Sequence, residues 1–446
     1  MRRLILDQLC HWLKQPNRKS LVLRGPRQVG KTWVVREFAK AQGLELVEIN
    51  FERDAKLRKV FEQDLDPRKL MSSLEIILDR RIDIAKAILF FDEVQDCPRA
   101  LTALKHFSDS ELKLPVIAAG SYLGLFEGAV EGVSQPIGYT NDLKMFPMTF
   151  LEFLWAAEPP EALLDCYHKR DLSNIAHSAL LQHYRDYLFV GGMPEIVNTW
   201  FQLKRETGSL LVQANAVRDL QKNLLGRYKA DFAKYHPRDA LQIARTWEIV
   251  AEQLARSFSE VSRFQFKGAI PGKRDYKAFA NYFARLEAAG LIHRSYIIEE
   301  PGYPLKAFKK ESFFKCYYGD TGLLLAEMDV AYRALDPSAD VSYKGPLAEN
   351  FVANALVRLN FPLFAYVRSR ADAEIEFLIQ HETAVIPIEV KNNQTTAKSL
   401  RWYREQFKPP FALKFSQKLG GLDGDIRHYP IYVCDGIFQE LQLGNE

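Results

Sequence analysis

The feature that most constrains the fold of this chain is the segment GPRQVGKT at residues 25–32, which fits the pattern G-x-x-x-x-G-K-[ST]. It follows an apolar run at residues 21–24 and precedes a helical pattern, TWVVREFAK. In such a strand, loop and helix, the loop N–H groups and the positive end of the helix dipole face phosphates. The segment therefore predicts a nucleotide phosphate site at the edge of an α/β sheet.

Each residue of this loop and the one after it is a candidate for nucleotide contact. Lys31 is expected to bridge the β- and γ-phosphates, and the Thr32 hydroxyl is expected to bind magnesium. The predicted cofactors are therefore ATP and Mg²⁺. The candidate nucleotide-binding residues are Gly25, Pro26, Arg27, Gln28, Val29, Gly30, Lys31, Thr32 and Trp33.

Two further apolar runs end in polar residues that suit phosphoryl transfer. The run AILFF ends at Asp92 and Glu93. Asp92 is expected to hold magnesium, and Glu93 to act as the general base on the attacking water. The run VIAAG ends at Ser121, which we expect to sense the γ-phosphate or to orient the water. Lys31, Glu93 and Ser121 are the predicted catalytic residues. The alternative is that Asp92 and Glu93 are the solvated end of an ordinary strand and that Ser121 is a turn residue.

Length and composition limit the remaining classes. A chain of 446 residues predicts about three domains. Its 47% hydrophobic and 26% charged residues are typical of globular proteins. Five scattered cysteines without a CxxC pair indicate neither a disulfide framework nor a zinc module, so a reducing cytoplasm is the expected location. No apolar run approaches the roughly 18 residues of a membrane span, so no membrane partner is expected.

The order of patterns along the chain predicts an α/β fold with several parts. Short apolar runs alternate with helical patterns in the first part, which indicates a parallel sheet of the P-loop NTPase kind. Helical spacing follows, and then helix, helix and hairpin, the order of a winged helix-turn-helix. The predicted strands of the first part are residues 21–24, 46–50, 87–92, 115–120 and 142–146. The predicted domains are a P-loop ATPase domain at 1–155, a helical domain at 156–238, a winged helix at 239–335 and an α/β domain at 336–446.

The segments GPRQVGKT, FFDEVQ and AAGSYLG, in that order, resemble the additional-strand, catalytic-glutamate class of P-loop ATPases. They are most similar to AAA-type ATPases of bacteria and archaea whose C-terminal half is a domain of unknown function. The resemblance continues through YLFVGGMPE, LEAAGLIHR, YYGDTGLL and IPIEVK. It implies that the glutamate after the Walker B aspartate, Glu93 here, is the hydrolytic base.

The resemblance also concerns the arginine that stabilises charge during hydrolysis. Many relatives carry a Gly-Arg pair after the sensor strand, where this chain reads QPIGY at residues 135–139. Arg27 and Arg99 remain as alternatives. Many ATPases of this class take the arginine from a neighbouring copy, which implies a homo-oligomer.

A basic segment lies inside a chain of nearly balanced charge. Residues 263–315 contain eleven Lys or Arg and five acids, a balance of +6, whereas the whole chain carries +4. This pattern predicts a DNA or RNA surface on the winged helix. The alternative is a winged helix that binds a protein partner. The candidate phosphate-contacting residues are Lys273, Arg274, Lys277, Lys306, Lys309 and Lys310.

The C-terminal part carries acids that strand periodicity can bring together. Glu349 lies on a predicted helix, Glu376 on one predicted strand, and Glu389 and Lys391 on the next. Such a set can hold a divalent metal and position water for phosphodiester cleavage. It resembles the PD-(D/E)XK fold of restriction-endonuclease-like nucleases, although the family usually reads E-V-D-F-L where this chain has EIEFL. An active nuclease, an inactive nuclease-like binding fold and simple surface acids all remain open.

The patterns together predict a magnesium-dependent ATPase that couples its nucleotide state to nucleic-acid engagement through its C-terminal half. The alternative is an ATP-dependent regulatory switch that binds a protein partner and carries an inactive nuclease-like domain.

Overall fold

The computed structural model describes residues 1–120, 138–256, 263–339, 343–368, 374–391 and 398–444. These residues form two compact units, Met1–Phe146 with Ala288–Gly290, and Pro147–Glu287 with Leu291–Glu446. The two units are a coarser division than the four predicted domains, which stay a prediction.

The first unit is built on a parallel sheet of five strands in the order β2-β3-β4-β1-β5. Strand β4 lies between β1, which leads into the phosphate loop, and β3, which ends in the two acids. The elements of this unit are α1 (Ile5–Leu13), β1 (Ser20–Arg24), α2 (Lys31–Ala41), β2 (Glu45–Asn50), α3 (Ala55–Gln63), α4 (Pro67–Leu78), β3 (Ala87–Asp92), a 3-10 turn (Val94–Asp96), α5 (Pro98–Asp109), β4 (Val116–Gly120) and β5 (Thr140–Lys144).

Both faces of this sheet are covered, which explains why its central strands read as continuous apolar runs. Leu21 and Leu23 of β1 face a core formed with α1 and α2, and Val22 faces the core that contains α3, α4 and α5. The edge strand β5 is half-exposed. It spans Thr140–Lys144 rather than the predicted 142–146, because Met145 and Phe146 are apolar without belonging to the strand.

The second unit begins with helices and continues into a mixed sheet. Its elements are α6 (Phe150–Ala157), α7 (Glu161–Lys169), α8 (Asn174–Val190), α9 (Pro194–Glu206), α10 (Leu210–Tyr235), α11 (Ala240–Arg256), a 3-10 turn (Tyr276–Ala278), α12 (Ala280–Ala288), β6 (Ile292–Ile298), a 3-10 turn (Leu305–Phe308), β7 (Phe314–Tyr318), α13 (Thr321–Glu327), a 3-10 turn (Tyr332–Leu335), α14 (Lys344–Arg358), β8 (Phe364–Val367), β9 (Glu374–His381), β10 (Ala384–Lys391), α15 (Lys398–Phe407), β11 (Ala412–Ser416), β12 (Gly421–Asp423), β13 (Ile426–Pro430), a 3-10 turn (Ile431–Val433) and α16 (Cys434–Leu443).

The sheet of the second unit has eight strands in the order β12-β13-β11-β10-β9-β8-β6-β7. The hairpin of β6 and β7 follows α11 and α12, as a winged helix requires, and its two strands pair antiparallel. Strand β6 also pairs in parallel with β8. The hairpin therefore shares one sheet with the C-terminal strands.

Within the described ranges, every helix is too short or too polar to cross a lipid bilayer.

Candidate functional site

The phosphate loop connects the carboxyl end of β1 to the first turn of α2. Gly25 has no room for a side chain, since a Cβ there would lie 2.3 Å from the carbonyl oxygen of Met145. The buried Arg3 side chain donates to the Val29 oxygen at 3.0 Å and to the Phe146 oxygen at 2.8 Å. Sequence reasoning did not find Arg3, which ties the loop to the end of β5.

Lys31 is buried inside the loop. Its Nζ donates to the carbonyl oxygens of Gly25 and Pro26, both at 2.8 Å. Burial lowers the pKa of Lys31 to about 8, although the charges of Glu93 and Asp92 oppose the shift. The ammonium group is thus close to both acids and is held by carbonyl oxygens that a phosphate oxygen could replace as acceptor.

Asp92 is the buried acid beside Thr32. The Thr32 hydroxyl donates to Asp92 Oδ2 at 3.2 Å. Asn50 Nδ2 donates to the same oxygen at 3.2 Å, since Asn50 and Asp92 are paired in the β2–β3 register. Burial, followed by the charge of Glu93, raises the pKa of Asp92 to about 6. The sequence analysis did not identify Asn50. The feature that could have indicated it is that Asn50 is a polar residue at the end of β2, the strand next to β3.

Glu93 follows β3 in a left-handed backbone conformation, with φ near +49°. Its side chain is half-buried, and its carboxylate accepts a short hydrogen bond from Gln95 Nε2. Because the strands are parallel, the carboxyl ends of β1 and β3 lie at the same edge of the sheet. The fold therefore brings the phosphate loop, Asp92 and Glu93 to one edge.

The other predicted residues of this site differ in what the structure places there. Ser121 lies outside the described residues, as does most of the QPIGY segment. Arg27 is half-buried in the loop, and Arg99 is exposed in the first turn of α5. Trp33 is 39% exposed on the first turn of α2.

In the second unit, Glu376, Glu389 and Lys391 come together. Strands β9 and β10 are antiparallel with Ile388 opposite Phe377, a register that brings the two glutamates opposite each other. Lys391 Nζ donates to Glu376 Oε1 at 2.5 Å and lies 3.8 Å from Glu389 Oε1. The ammonium group therefore contacts both carboxylates.

Burial controls the protonation of this group. Burial raises the pKa of Glu376 and of Glu389, although the Lys391 charge opposes both shifts. Burial alone would lower the pKa of Lys391, but the carboxylates raise it above its usual value. Glu389 Oε2 is buried without a hydrogen-bond partner in the described part of the chain. Among those residues, no three His, Cys, Asp or Glu side chains lie close enough together to hold a metal ion.

Glu349 forms its hydrogen bonds outside the group of Glu376, Glu389 and Lys391. Its Oε2 accepts a hydrogen bond from the Tyr317 hydroxyl at 2.9 Å and lies 3.4 Å from Lys315 Nζ. Lys315 also pairs with Glu374. The Glu349 charge still acts on Glu376 and Lys391, but its hydrogen bonds join α14 to the hairpin strand β7. Sequence reasoning missed Lys315 and Tyr317.

The six candidate phosphate-contacting residues are not equally available. Lys309 pairs with Glu311 at 2.8 Å and lies over the Tyr296 ring, and Lys310 pairs with Glu299. Around the 3-10 turn before α12, Lys273 Nζ lies 5.0 Å from the Tyr282 ring centre. The remaining three candidates form no ion pair with any residue that the structure describes; they are Arg274, Lys277 and Lys306.

The YLFVGGMPE and YYGDTGLL segments meet at a buried aspartate. Asp320 caps α13, where its Oδ1 accepts from Leu323 N at 2.9 Å and its Oδ2 accepts from Gly192 N at 2.7 Å. A Cβ on Gly191, whose φ is +76°, would lie 2.2 Å from Asp320 Oδ1. Burial raises the pKa of Asp320, although the backbone N–H donors oppose the shift. We call these three residues, Gly191, Gly192 and Asp320, the glycine–aspartate joint, and its contacts are structural.

Comparisons with known families divide the chain into three matches. Residues 17–154 match an AAA domain. Residues 181–332 match a domain of unknown function, DUF8612, and residues 344–427 match another, DUF4143. No curated protein sequence matches the chain.

The solved structures that match this chain include three that are similar at low sequence identity. A Walker-type ATPase of Pyrococcus abyssi is 14% identical, with 74% of this chain and 95% of that chain covered and a TM-score of 0.42. The Orc1 protein of Aeropyrum pernix in complex with DNA is 13% identical, with 75% and 91% covered and a TM-score of 0.30. DnaA of Aquifex aeolicus bound to AMPPCP is 12% identical, with 64% and 87% covered and a TM-score of 0.32.

The AAA-domain match covers the same residues as the five-stranded parallel sheet, the phosphate loop and the two acids. The family match and the sheet together support an AAA-type P-loop ATPase in this part of the chain.

Proposed function

We propose that the chain is a magnesium-dependent ATPase that couples its nucleotide state to nucleic-acid engagement through its second unit. The observation that carries the first half of the proposal is the meeting of Lys31, Thr32, Asp92 and Glu93 at one sheet edge. Lys31 would bind the phosphates, and Glu93 would take the proton of the attacking water. Ser121, as the residue after β4, remains the proposed sensor.

The residues present fit a magnesium ion. Thr32 and Asp92 supply a hydroxyl and a carboxylate side by side, and magnesium in ATPases is bound by one or two such protein oxygens together with phosphates. Magnesium would supply charge neutralisation on the transferred phosphoryl group. Asn50 holds the Asp92 carboxylate in place for this role.

For the nucleic-acid half of the proposal, the support is the charge around the 3-10 turn before α12. Arg274 and Lys277 are exposed and form no ion pair with described residues, so they are free to contact phosphates. Lys309 and Lys310 are already neutralised by neighbouring acids. The proposed contact surface is therefore the turn before α12, and the hairpin lysines contribute less.

Charge reversal of the turn is expected to weaken nucleic-acid binding and its salt dependence. With Lys273, Arg274 and Lys277 all changed to Glu, the slope of log Kd against log salt should fall by about 3, roughly one for each phosphate contact. Electrophoretic mobility shifts over a series of salt concentrations measure the slope.

The matched control reverses Lys309 and Lys310, which are paired with acids, and its slope should change by less than about 1. If the parent gives no shift even at low salt, the protein-binding alternative replaces the nucleic-acid half. A protein partner would be held with little salt dependence.

We also propose that the C-terminal nuclease-like part binds without cleaving. The supporting observation is that Lys391 contacts both Glu376 and Glu389, so an ammonium group already pairs with the carboxylates that a metal would need. The longer reach of Glu376, compared with the aspartate usual in the resembling fold, agrees with this arrangement.

The expected result with DNA and Mg²⁺ or Mn²⁺ is an intact substrate for the parent protein. Glu389→Ala should give the same result, since no metal-bound step is lost. The measurement is gel analysis of single- and double-stranded DNA after incubation. Cutting by the parent that disappears in Glu389→Ala would instead establish an active nuclease.

The proposed location is a reducing cytoplasm, which agrees with five cysteines that are all free thiols. Self-association is also part of the proposal, because a neighbouring copy can supply the arginine that stabilises charge during hydrolysis. Arg27 and Arg99 are the alternatives within the same chain.

A further inference from the structure

Gln95 is a buried polar residue directly behind the proposed catalytic base. It lies in the 3-10 turn that follows β3, and this turn packs against β4 and α5. Only 5% of Gln95 is exposed. A glutamine at a fully packed position next to an acid is expected to have a role other than filling space.

The Gln95 amide is oriented by Glu93. A carboxylate can only accept hydrogen bonds, so the Nε2 group of Gln95 must face Glu93 Oε2, as the structure has it. The contact spans two residues of a turn that begins with Glu93 in the left-handed region. Such strained conformations cluster at active sites.

Among the residues that the structure describes, the other half of the amide has no partner. Gln95 Oε1 is buried and accepts no hydrogen bond from the described residues. A side chain kept only for packing would not leave a buried amide oxygen unpaired, since an apolar residue of similar size fits without that cost. Within the described part of the chain, Gln95 therefore leaves a buried acceptor unpaired, which does not favour stability.

On this basis we propose that Gln95 is a positioning residue for Glu93, which it holds in the orientation needed for hydrolysis. The inference rests on the proposed role of Glu93 as the general base. Gln95 acts through Glu93 and does not bind the nucleotide.

The test is Gln95→Leu, with ATP turnover, nucleotide affinity and thermal stability measured on the full chain. We expect kcat to fall about 10- to 30-fold, as for an oriented proton-transfer group that loses its support. The Kd for AMPPCP should stay within about twofold, and Tm should be unchanged or higher. Gln63→Leu, at an exposed position on α3, is the control and should leave all three values unchanged.

A double-mutant cycle with Glu93→Gln separates positioning from a merely structural role. If Gln95 acts through Glu93, adding Gln95→Leu to Glu93→Gln should lower kcat by less than about twofold further. Additive losses, a lower Tm or a higher kcat in Gln95→Leu would each overturn the proposal; a higher kcat would mean that Gln95 holds Glu93 away from the water. Unchanged turnover in Glu93→Gln alone would instead refute the proposed base.

Discussion

Replacing Glu93 by glutamine is expected to lower ATP turnover by about 10²- to 10⁴-fold, the range in which a general base contributes. Glutamine has the same shape but cannot take the proton of the attacking water. Nucleotide affinity should remain within a few-fold, because Lys31 and the loop are unchanged. Phosphate release measures turnover, and calorimetric titration with ATP and Mg²⁺ measures affinity.

Lys31→Ala is the matched comparison for this prediction. It removes the buried ammonium group that contacts Gly25 and Pro26, and so both nucleotide affinity and turnover should be lost. Glu93→Gln should bind nucleotide without turnover, whereas Lys31→Ala should show neither. This difference distinguishes the general base from the residue that binds the phosphates. Equal turnover in Glu93→Gln and the parent would remove Glu93 from the mechanism.

The architecture of the first unit was predictable because its signals are local. The central strands β1, β3 and β4 are covered on both faces, and their apolar runs matched the observed strands to within one residue at each end, as did the prediction for the edge strand β2. The edge strand β5 is half-exposed and lacks such an apolar run, and its predicted position was wrong by two residues. The phosphate loop needed only its spacing and its context.

The supporting contacts could not be predicted, because they depend on register and on strand order. Asn50 contacts Asp92 because β2 pairs with β3. Arg3 contacts the loop at Val29, which lies 26 positions further along the chain. The charge of Glu349 acts on Glu376 and Lys391, the other members of the predicted C-terminal group. Its hydrogen bond goes to Tyr317 because the hairpin joins the same sheet, a strand order that no local pattern encodes.

The glycine–aspartate joint leads to the largest expected effect on stability. Asp320→Ala should lower the free energy of unfolding of the second unit by about 3–5 kcal/mol, because the buried N–H groups of Gly192 and Leu323 lose a charged acceptor and α13 loses its cap. Urea denaturation measures the loss. Amide hydrogen exchange of the segment around Gly192 shows whether local unfolding begins at the glycine–aspartate joint.

Should Asp320→Ala fail to fold, Asp320→Asn keeps the test available. Asparagine retains one oxygen, so it can satisfy Leu323 or Gly192 but not both, and about half of the loss is expected. Ser173→Ala is the control, since Ser173 caps α8 in the same unit with one bond at an exposed position, and it should cost about 1 kcal/mol. If Asp320→Ala cost no more than Ser173→Ala, the joint would be an ordinary helix cap. The tight approach of Gly191 to the carboxylate would then carry no stability of its own.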